Sequence, residues 1–398
     1  MLQAKTKDGT LVIPAQLTRN EIDSWRQETF YCPVCQERVI LKAGPRVMPH
    51  FAHYSTKNCP SAKGGEGPYH ERGKLILYDW LKRQHIPVLL EPYLPSIQQQ
   101  PDILITIKQK KIAIEFQCSR TSPAVIQARN SGYRRLNIEP IWILGAKLFN
   151  RQSNQSLRID AFTKQFIQQF SPSLPLTLFY FCPTTQIFVQ AQHLHLLKQS
   201  VAYVQLHSLP LSQLNFLDLF NVQSFDRRKF LQTWLRVKQN FRVKPPGNIY
   251  GRERQWYQWL YEKGTHVQYL PPFIYLPIQS QIYMKTPLWD WQSRLYLNII
   301  QPIPIGSRFN ISFCQKYFKK VMKPMNRFPL IKQLPNPIYE YLKLLETLQL
   351  IKQHDEYTFV KTQQIVSPNH IEQSIQADRE LLEKLLRKDC FSYERFGN

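Results

Sequence analysis

The chain has 398 residues, more than one ordinary core needs, which excludes a single small module. Hydrophobic residues make up 43%, aromatics 13% and charged residues 20%, so the chain can bury real cores and is not disordered throughout. Its 52 Lys and Arg against 28 Asp and Glu leave a charge of +24, a surplus that a small acidic substrate does not require. A polyanionic partner does: nucleic acid first, an anionic membrane surface second.

No run of about 18 uncharged apolar residues is present, and the opening MLQAKTKDGT lacks the apolar core of a signal peptide. The expectation is a cytosolic protein without membrane insertion. Seven cysteines, an odd number spread over a long chain, argue against a disulfide framework.

From Thr10 to about Lys63, short strand-like pieces (TLVIPA, ERVILKA) are broken by Pro and Gly. Cys32-x2-Cys35, His53 and Cys59 cluster there and supply four soft or borderline ligands, a set suited to tetrahedral zinc, with His50 as an alternative to His53. Four protein ligands leave no open position, so that zinc would be structural. Lys42 and Arg46 would be displayed between the ligands. A Gly-rich joint, KGGEGP, follows, and the spacing of Leu75, Ile76, Tyr78 and Leu81 predicts a helix over 70–84.

VLLEPYL and then PDILITIKQKKIAIEFQCS read as strands, the latter as a hairpin turning between Gln109 and Lys110. In that register Asp102 lies opposite Gln117 and Leu104 opposite Glu115, on one face. Ile103, Ile105, Ile107, Ile112, Ile114 and Phe116 share the other, which alternation marks as buried. Asp102 and Glu115 become diagonal neighbours. Two carboxylates side by side repel, and a hard divalent cation is the usual resolution. Mg²⁺ or Mn²⁺ held there would activate water against a phosphodiester, Glu71 or His70 of the preceding helix would reach the same ion, and Gln117 would orient the water. Ion pairs with Lys108, Lys110 or Lys111 would satisfy both acids equally.

Ser122-Pro123 opens a helix to about Asn137, and PIWILG is a buried strand. The polar run NRQSNQS after Phe149 marks a boundary. This gives three regions: a zinc-ribbon-like unit over 1–65, a mixed α/β core over 66–150 and a largely helical basic region over 151–398. The last carries 31 basic and 16 acidic residues. LTLFYFCPTTQIFVQA reads as a strand pair, and 225–242 as a basic helix. There Arg227, Arg228, Lys229, Arg236 and Lys238 alternate with Phe230 and Trp234, a mixture in which cations track phosphates and aromatic faces stack on bases of single-stranded DNA. Phe230, Trp234 and Trp256 equally suit a core. Amphipathic helices over 337–353 and 371–388 flank the strand-like YTFVK, a helix-plus-hairpin of winged type or a docking surface for a partner protein.

The ordered runs YCPVCQERVILKAGPRVMPHFAH, HERGKLILYDWL, PDILI, IAIEFQCS and QARNSGYRRLNIEPIWILG, covering roughly residues 20–150, resemble the competence protein CoiA family. The resemblance implies a PD-(D/E)xK-type, restriction-endonuclease-like fold, with Asp102 and Glu115 as the metal-binding acids and Glu71 as the acid of the first helix. It implies DNA processing between uptake and recombination in natural transformation. Arg129 and Tyr133 match positions after the sheet and would contact phosphate or base. Gln117 stands where many relatives of the wider fold have lysine, a departure that implies slow or absent turnover. The two functional readings are therefore a metal-dependent nuclease and a nuclease-fold adaptor that hands DNA to the recombination machinery.

Overall fold

Two units, each assembled from three stretches of chain, emerge from the computed structural model, which describes residues 1–44, 48–54, 59, 67–243, 250–365 and 367–391. One unit takes residues 1–149, 178–190 and 208–221, and the other takes 150–177, 191–207 and 222–398. Arg46 and the Gly-rich joint at 63–66 lie outside the described residues.

The first unit opens with five short strands. β1 (Ala4–Lys5), β2 (Leu11–Val12), β3 (Phe30–Tyr31), β4 (Arg38–Lys42) and β5 (His50–His53) form an antiparallel sheet in the order β2-β1-β3-β4-β5. Helix α1 (Arg19–Trp25) starts at a capping box in which Thr18 and Glu21 satisfy each other's backbone amides, a T-x-x-E signature in the sequence. The core here is small: Phe30, Phe51 and Val39 with Cys32 and Cys59.

Helix α2 (Pro68–Lys82) begins with Pro68 at the first helical position and buries Leu75, Leu77, Trp80 and Leu81. Each such side chain contributes roughly 1.5–3 kcal/mol of burial. Then come β6 (Val88–Leu90), β7 (Ile103–Ile107), β8 (Lys110–Gln117), α3 (Pro123–Arg135) and β9 (Ile138–Gly145). Ser122 caps α3 through Val125 N. β6, β7 and β8 are antiparallel neighbours, whereas β9 lies parallel to β8. A parallel pair needs a crossover, and α3 supplies it.

The hairpin register differs from the expectation. Ile103 pairs with Ile114 and Ile107 with Lys110, so the turn is Lys108–Gln109, with φ of 45° and 69°. Two left-handed residues make a two-residue turn whose twist suits the strands, although neither is Asn or Gly. The slip is by two, so each side chain keeps its face. Asp102, one place before Ile103, now stands directly opposite Glu115, one place after Ile114. The face carrying the acids is also covered: Leu104 and Ala113 pack with Tyr133 of α3, because the crossover helix must lie there. On the other face α2 approaches so closely that a Cβ on Gly73 would come within 2.0 Å of Phe116 Cε1.

The core does not end at Phe149. After β10 (Arg151–Ser153) and β11 (Ser156–Arg158), which belong to the second unit, β12 (Leu178–Phe181) returns and pairs parallel with β9. The chain changes unit within β13 (Ile187–Lys198) and again within β14 (Val201–Pro210). The polar run after Phe149 coincides with the first change of unit, and the chain then returns to the first unit over 178–190 and 208–221, which the single expected boundary at 150 does not include.

In the second unit α4 (Arg227–Val243), α5 (Gly251–Glu262) and α6 (Leu288–Leu295) are followed by β15 (Arg308–Asn310), α7 (Ile311–Phe318), α8 (Pro337–Thr347), β16 (Ile351–Gln353), β17 (Thr358–Lys361) and α9 (Ile371–Arg387). The helix expected over 337–353 stops at Thr347 and becomes β16. The helix-plus-hairpin consists of α8 and β16–β17, with β15 pairing with β17 to complete a sheet in the order β15-β17-β16. Helix α8 is buried on Ile338, Tyr341, Leu342, Leu344 and Leu345, and Glu340 accepts from Gln279 N and Ser280 N. The hairpin tip carries exposed Asp355 and Glu356, while Lys352 of β16 and Arg308 of β15 stand exposed on the strands. Among the described residues, no helix is long and apolar enough to cross a membrane.

Candidate active site and metal centre

Asp102 is 8% exposed and its carboxylate is fully engaged. Oδ2 accepts from Phe116 N at 2.7 Å and lies 3.3 Å from His70 Nε2, while Oδ1 is 3.8 Å from Lys74 Nζ. His70 and Lys74 are one turn apart on α2 and therefore face the same way. Burial works against the charge of Asp102. The hydrogen bond from His70 and the positive charges of Lys74, His70 and Arg129 overcome it and hold the carboxyl well below the usual range.

Lys74 is itself buried, and its ammonium also donates to Glu91 Oε1. Glu91 follows β6 directly, and its amide donates to Asp102 O at 2.9 Å, which brings the two acids together. Its Oε2 accepts from Leu2 N at 3.0 Å. Sequence reasoning missed both Lys74 and Glu91. The signal was a charged residue at the end of VLL, the run that pairs with Ile103–Ile105, and a lysine four places after His70.

Glu115, 4% exposed, faces α3. Arg129 Nε donates to its Oε1 at 3.1 Å, a guanidinium nitrogen of Arg129 and the Tyr133 hydroxyl donate to the same oxygen, and Arg129 also reaches Gln100 O at 2.9 Å. Burial pushes the Glu115 carboxyl up to about 7, against the pull of Arg129 and with a further push from Asp102. Arg129 and Tyr133, expected as nucleic-acid contacts, are both hydrogen-bond partners of Glu115 here, and the Arg129 side chain stays 26% exposed. Tyr133 is fully buried and cannot meet a base.

Gln117 turns its amide to Ser119 O at 2.6 Å. Glu71 is half-buried in the first turn of α2, and its carboxylate makes no hydrogen bond or ion pair with a described residue; His70 and Lys74 are what α2 brings to Asp102. The arrangement is two facing carboxylates, each held by its own cations: His70 and Lys74 on Asp102, Arg129 on Glu115. Hard oxygen donors of this kind suit Mg²⁺ or Mn²⁺.

The second cluster is Cys32, Cys35, His53 and Cys59, whose ligand atoms all lie within 4.8 Å of one another. Cys32 Sγ and Cys59 Sγ are 3.8 Å apart, and Cys35 Sγ is 3.4 Å from His53 Nε2. Thiolates on a tetrahedral zinc with bonds of about 2.3 Å are about 3.8 Å apart. The Cys32–Cys35 knuckle follows β3 and His53 ends β5. His50 turns aside and its Nδ1 meets Met48 O, which leaves His53 as the fourth ligand. Burial, reinforced by the thiols of Cys32 and Cys59, pushes the Cys35 thiol up to about 12, so a cation is what would make it a thiolate. This cluster can hold a metal. Lys42 is exposed at the end of β4.

In the second unit the expected basic helix divides. Lys238 is 1% exposed, sits 3.0 Å from Asp378 Oδ1 and donates to Ile274 O, while Arg242 grips the same carboxylate at 2.6 and 2.8 Å. Lys238 is therefore corrected from a DNA contact to a lock between α4 and α9. Arg227 pairs with Asp389, and Lys229 with Asp226. Arg228 and Arg236 are exposed and make no ion pair with a described residue. Phe230, Trp234 and Trp256 are core.

Three family profiles cover most of the chain: competence protein CoiA, N-terminal domain, over residues 14–62; its nuclease-like domain over 66–224; and its C-terminal domain over 230–375. A curated relative, competence protein CoiA of Bacillus subtilis (strain 168), is 31% identical over 273 residues, spanning 68% of this chain and 72% of the relative. No solved structure matches.

Proposed function

The chain belongs to the competence protein CoiA family, and from that premise we propose that it processes DNA during natural transformation by metal-assisted phosphodiester hydrolysis in the nuclease-like domain. The observation that carries this reading is the direct opposition of Asp102 and Glu115 in a buried site that also holds Lys74. Buried acids are costly unless paired, and a fold that keeps two beside each other has a use for them.

Asp102 and Glu115 would hold Mg²⁺ or Mn²⁺, which when bound activates water and bears charge on a phosphodiester oxygen. Lys74 supplies the buried cation that Gln117 cannot, and would stabilise negative charge growing on the phosphoryl oxygens. His70, at 3.3 Å from Asp102, orients that carboxylate. For Glu115 to act as a ligand, Arg129 must release it. A phosphate is what would draw the guanidinium away, since Arg prefers a bidentate anion. Cys32, Cys35, His53 and Cys59 hold structural zinc in this reading, and exposed cations such as Arg228 and Arg236 guide incoming single-stranded DNA toward recombination proteins. The site of action is the cytoplasm.

The Arg129 and Tyr133 bonds to Glu115 favour a second reading, an adaptor that keeps the groove without turnover. Labelled single- and double-stranded DNA with the purified protein in Mg²⁺, Mn²⁺ or EDTA separates the two. The enzyme predicts cleavage that needs metal and vanishes in Glu115→Ala and Lys74→Ala. Binding without cleavage, unchanged in both variants, would leave the adaptor.

A further inference from the structure

At the turn end of the β7–β8 hairpin, about 17 Å along the strands from Asp102 at roughly 3.4 Å per residue, the first unit has a cavity of about 740 Å³. Three segments line it: Arg83 to Pro87 after α2, Thr106 to Lys108 at the turn, and Asn215 to Leu217. Its size lies in the range of sites that bury a ligand, roughly 300–1,000 Å³.

The cavity is preformed. Trp80 Nε1 donates to Leu214 O at 2.6 Å, Phe216 N donates to Gln84 Oε1 at 2.7 Å, and Thr106 N donates to Pro87 O at 3.1 Å, so each segment is tied to another. His85 takes φ of 56° to end the helix, and the Asn215–Asp218 capping box fixes the third segment. Nothing here has to be ordered on binding, a saving that favours a short partner.

Its chemistry is mixed in a specific way. Ile86, Pro87, Ile107 and Leu217 give an apolar lining, and Leu217 stands 66% exposed at the mouth. Arg83 and Lys108 lie on the rim with Lys82 and Lys110 adjacent. All four are exposed, none makes an ion pair with a described residue, and no acid lines the cavity. Phosphates would satisfy the rim but leave the apolar floor unfilled. Stacking successive bases needs several exposed aromatic faces, and the lining offers the single imidazole of His85, since Phe216 is 1% exposed.

We propose that this cavity docks an acidic peptide segment of a partner protein, with an apolar side chain seated against Leu217 and flanking carboxylates on Arg83 and Lys108. The interaction is independent of hydrolysis, because the acids lie at the other end of the hairpin. Apolar anchoring gives it affinity and the cations give it register and a fast approach.

The test is fluorescence anisotropy on the full-length protein with labelled peptides carrying Phe, Leu or Ile between runs of Asp and Glu. Matched peptides have Ser as anchor or Lys as flank, and oligothymidylate is the competitor. The expected result is that at least one acidic, apolar-anchored peptide binds at least about tenfold more tightly than both matched forms, and that Leu217→Asp and the pair Arg83→Glu with Lys108→Glu each weaken it by about tenfold or more. All three residues are exposed, and melting curves of the variants check folding. Equal binding of the Ser-anchored form, affinity unchanged in the variants, or no peptide binding below about 100 µM would overturn the proposal. So would oligothymidylate binding that depends on Arg83 and Lys108 but not on Leu217, which would assign the surface to nucleic acid.

Discussion

Lys74 places its ammonium 3.8 Å from Asp102 Oδ1 while only 1% of its side chain meets solvent. Glu91 holds the same ammonium from the other side, so one cation neutralises a strand end and the residue after β6. Removing one member of a buried charge set leaves the others uncompensated, a loss of roughly 3–5 kcal/mol. Lys74→Met should therefore lower the urea midpoint sharply at pH 7.5. At pH 4, where the Asp102 carboxyl can take a proton once Lys74 no longer holds it low, the difference should shrink. Equal losses at both pH values would show that packing, and not charge, is what Lys74 contributes.

Gly73 is the point at which α2 meets Phe116. A methyl group there would overlap the ring at 2.0 Å, so Gly73→Ala must push the helix outward or turn Phe116 off its rotamer, at roughly 1–3 kcal/mol. His70 and Lys74 flank Gly73 on the helix, so the shift carries them away from Asp102. Thermal melts should show the loss, and Phe116→Leu in the same chain should recover part of it. Full additivity of the two substitutions would mean that they do not share this contact.

Glu115 and Asp102 respond to pH in opposite senses. Glu115 is raised from 4.5 to about 7, so the folded protein keeps a proton that the unfolded chain has lost, and stability falls as pH rises through that window. Asp102 is lowered from 3.8, so its stabilising contribution is present above that value and is lost as pH falls below it. Glu115→Gln should flatten the pH dependence between about 4.5 and 7 and leave the acid limb intact, as read by urea unfolding across pH. For the same reason Mn²⁺ affinity should rise from pH 6 to pH 8 with proton release, measured by calorimetry in two buffers. A slope identical in wild type and Glu115→Gln would remove Glu115 as its source.

The four-ligand cluster should hold one zinc per chain by elemental analysis. Cys59→Ala or a strong chelator should unfold the five-stranded sheet, whose apolar core is too small to stand alone. Because Leu2 N donates to Glu91, hydrogen exchange should also quicken at Glu91 and its neighbours, while β8 and β9 stay protected. Metal-free protein with full protection in β3 to β5 would refute a structural role for zinc.

Alternation made much of this legible. The isoleucines at 103, 105 and 114 and Phe116 fell on one face as their spacing predicts, and Ser122-Pro123 opened a helix where it should. The turn was misplaced because Lys108 and Gln109 take left-handed conformations that carry no residue signature. Asp102 and Glu115 are legible from alternation, whereas the inward partners of Arg129, Tyr133 and Lys238 are not, because neither a family match nor a cation's sequence position reveals whether a carboxylate waits inside. Lys238 meets Asp378, a partner 140 positions away, which no local periodicity can supply. Glu91 was passed over for the same reason: its importance comes from pairing with a strand twelve residues on.

The chain visits each unit three times, and β12 reaches the edge of β9 only after residues 150–177 have been spent elsewhere. A fragment ending at Phe149 would leave a parallel edge open along Ile143 to Gly145, a row of unpaired amides that invites aggregation. Dividing this protein with a single cut therefore yields an insoluble piece rather than a domain. At the level of genes, a crossover between two relatives would have to exchange three separate segments at once to pass one unit on intact.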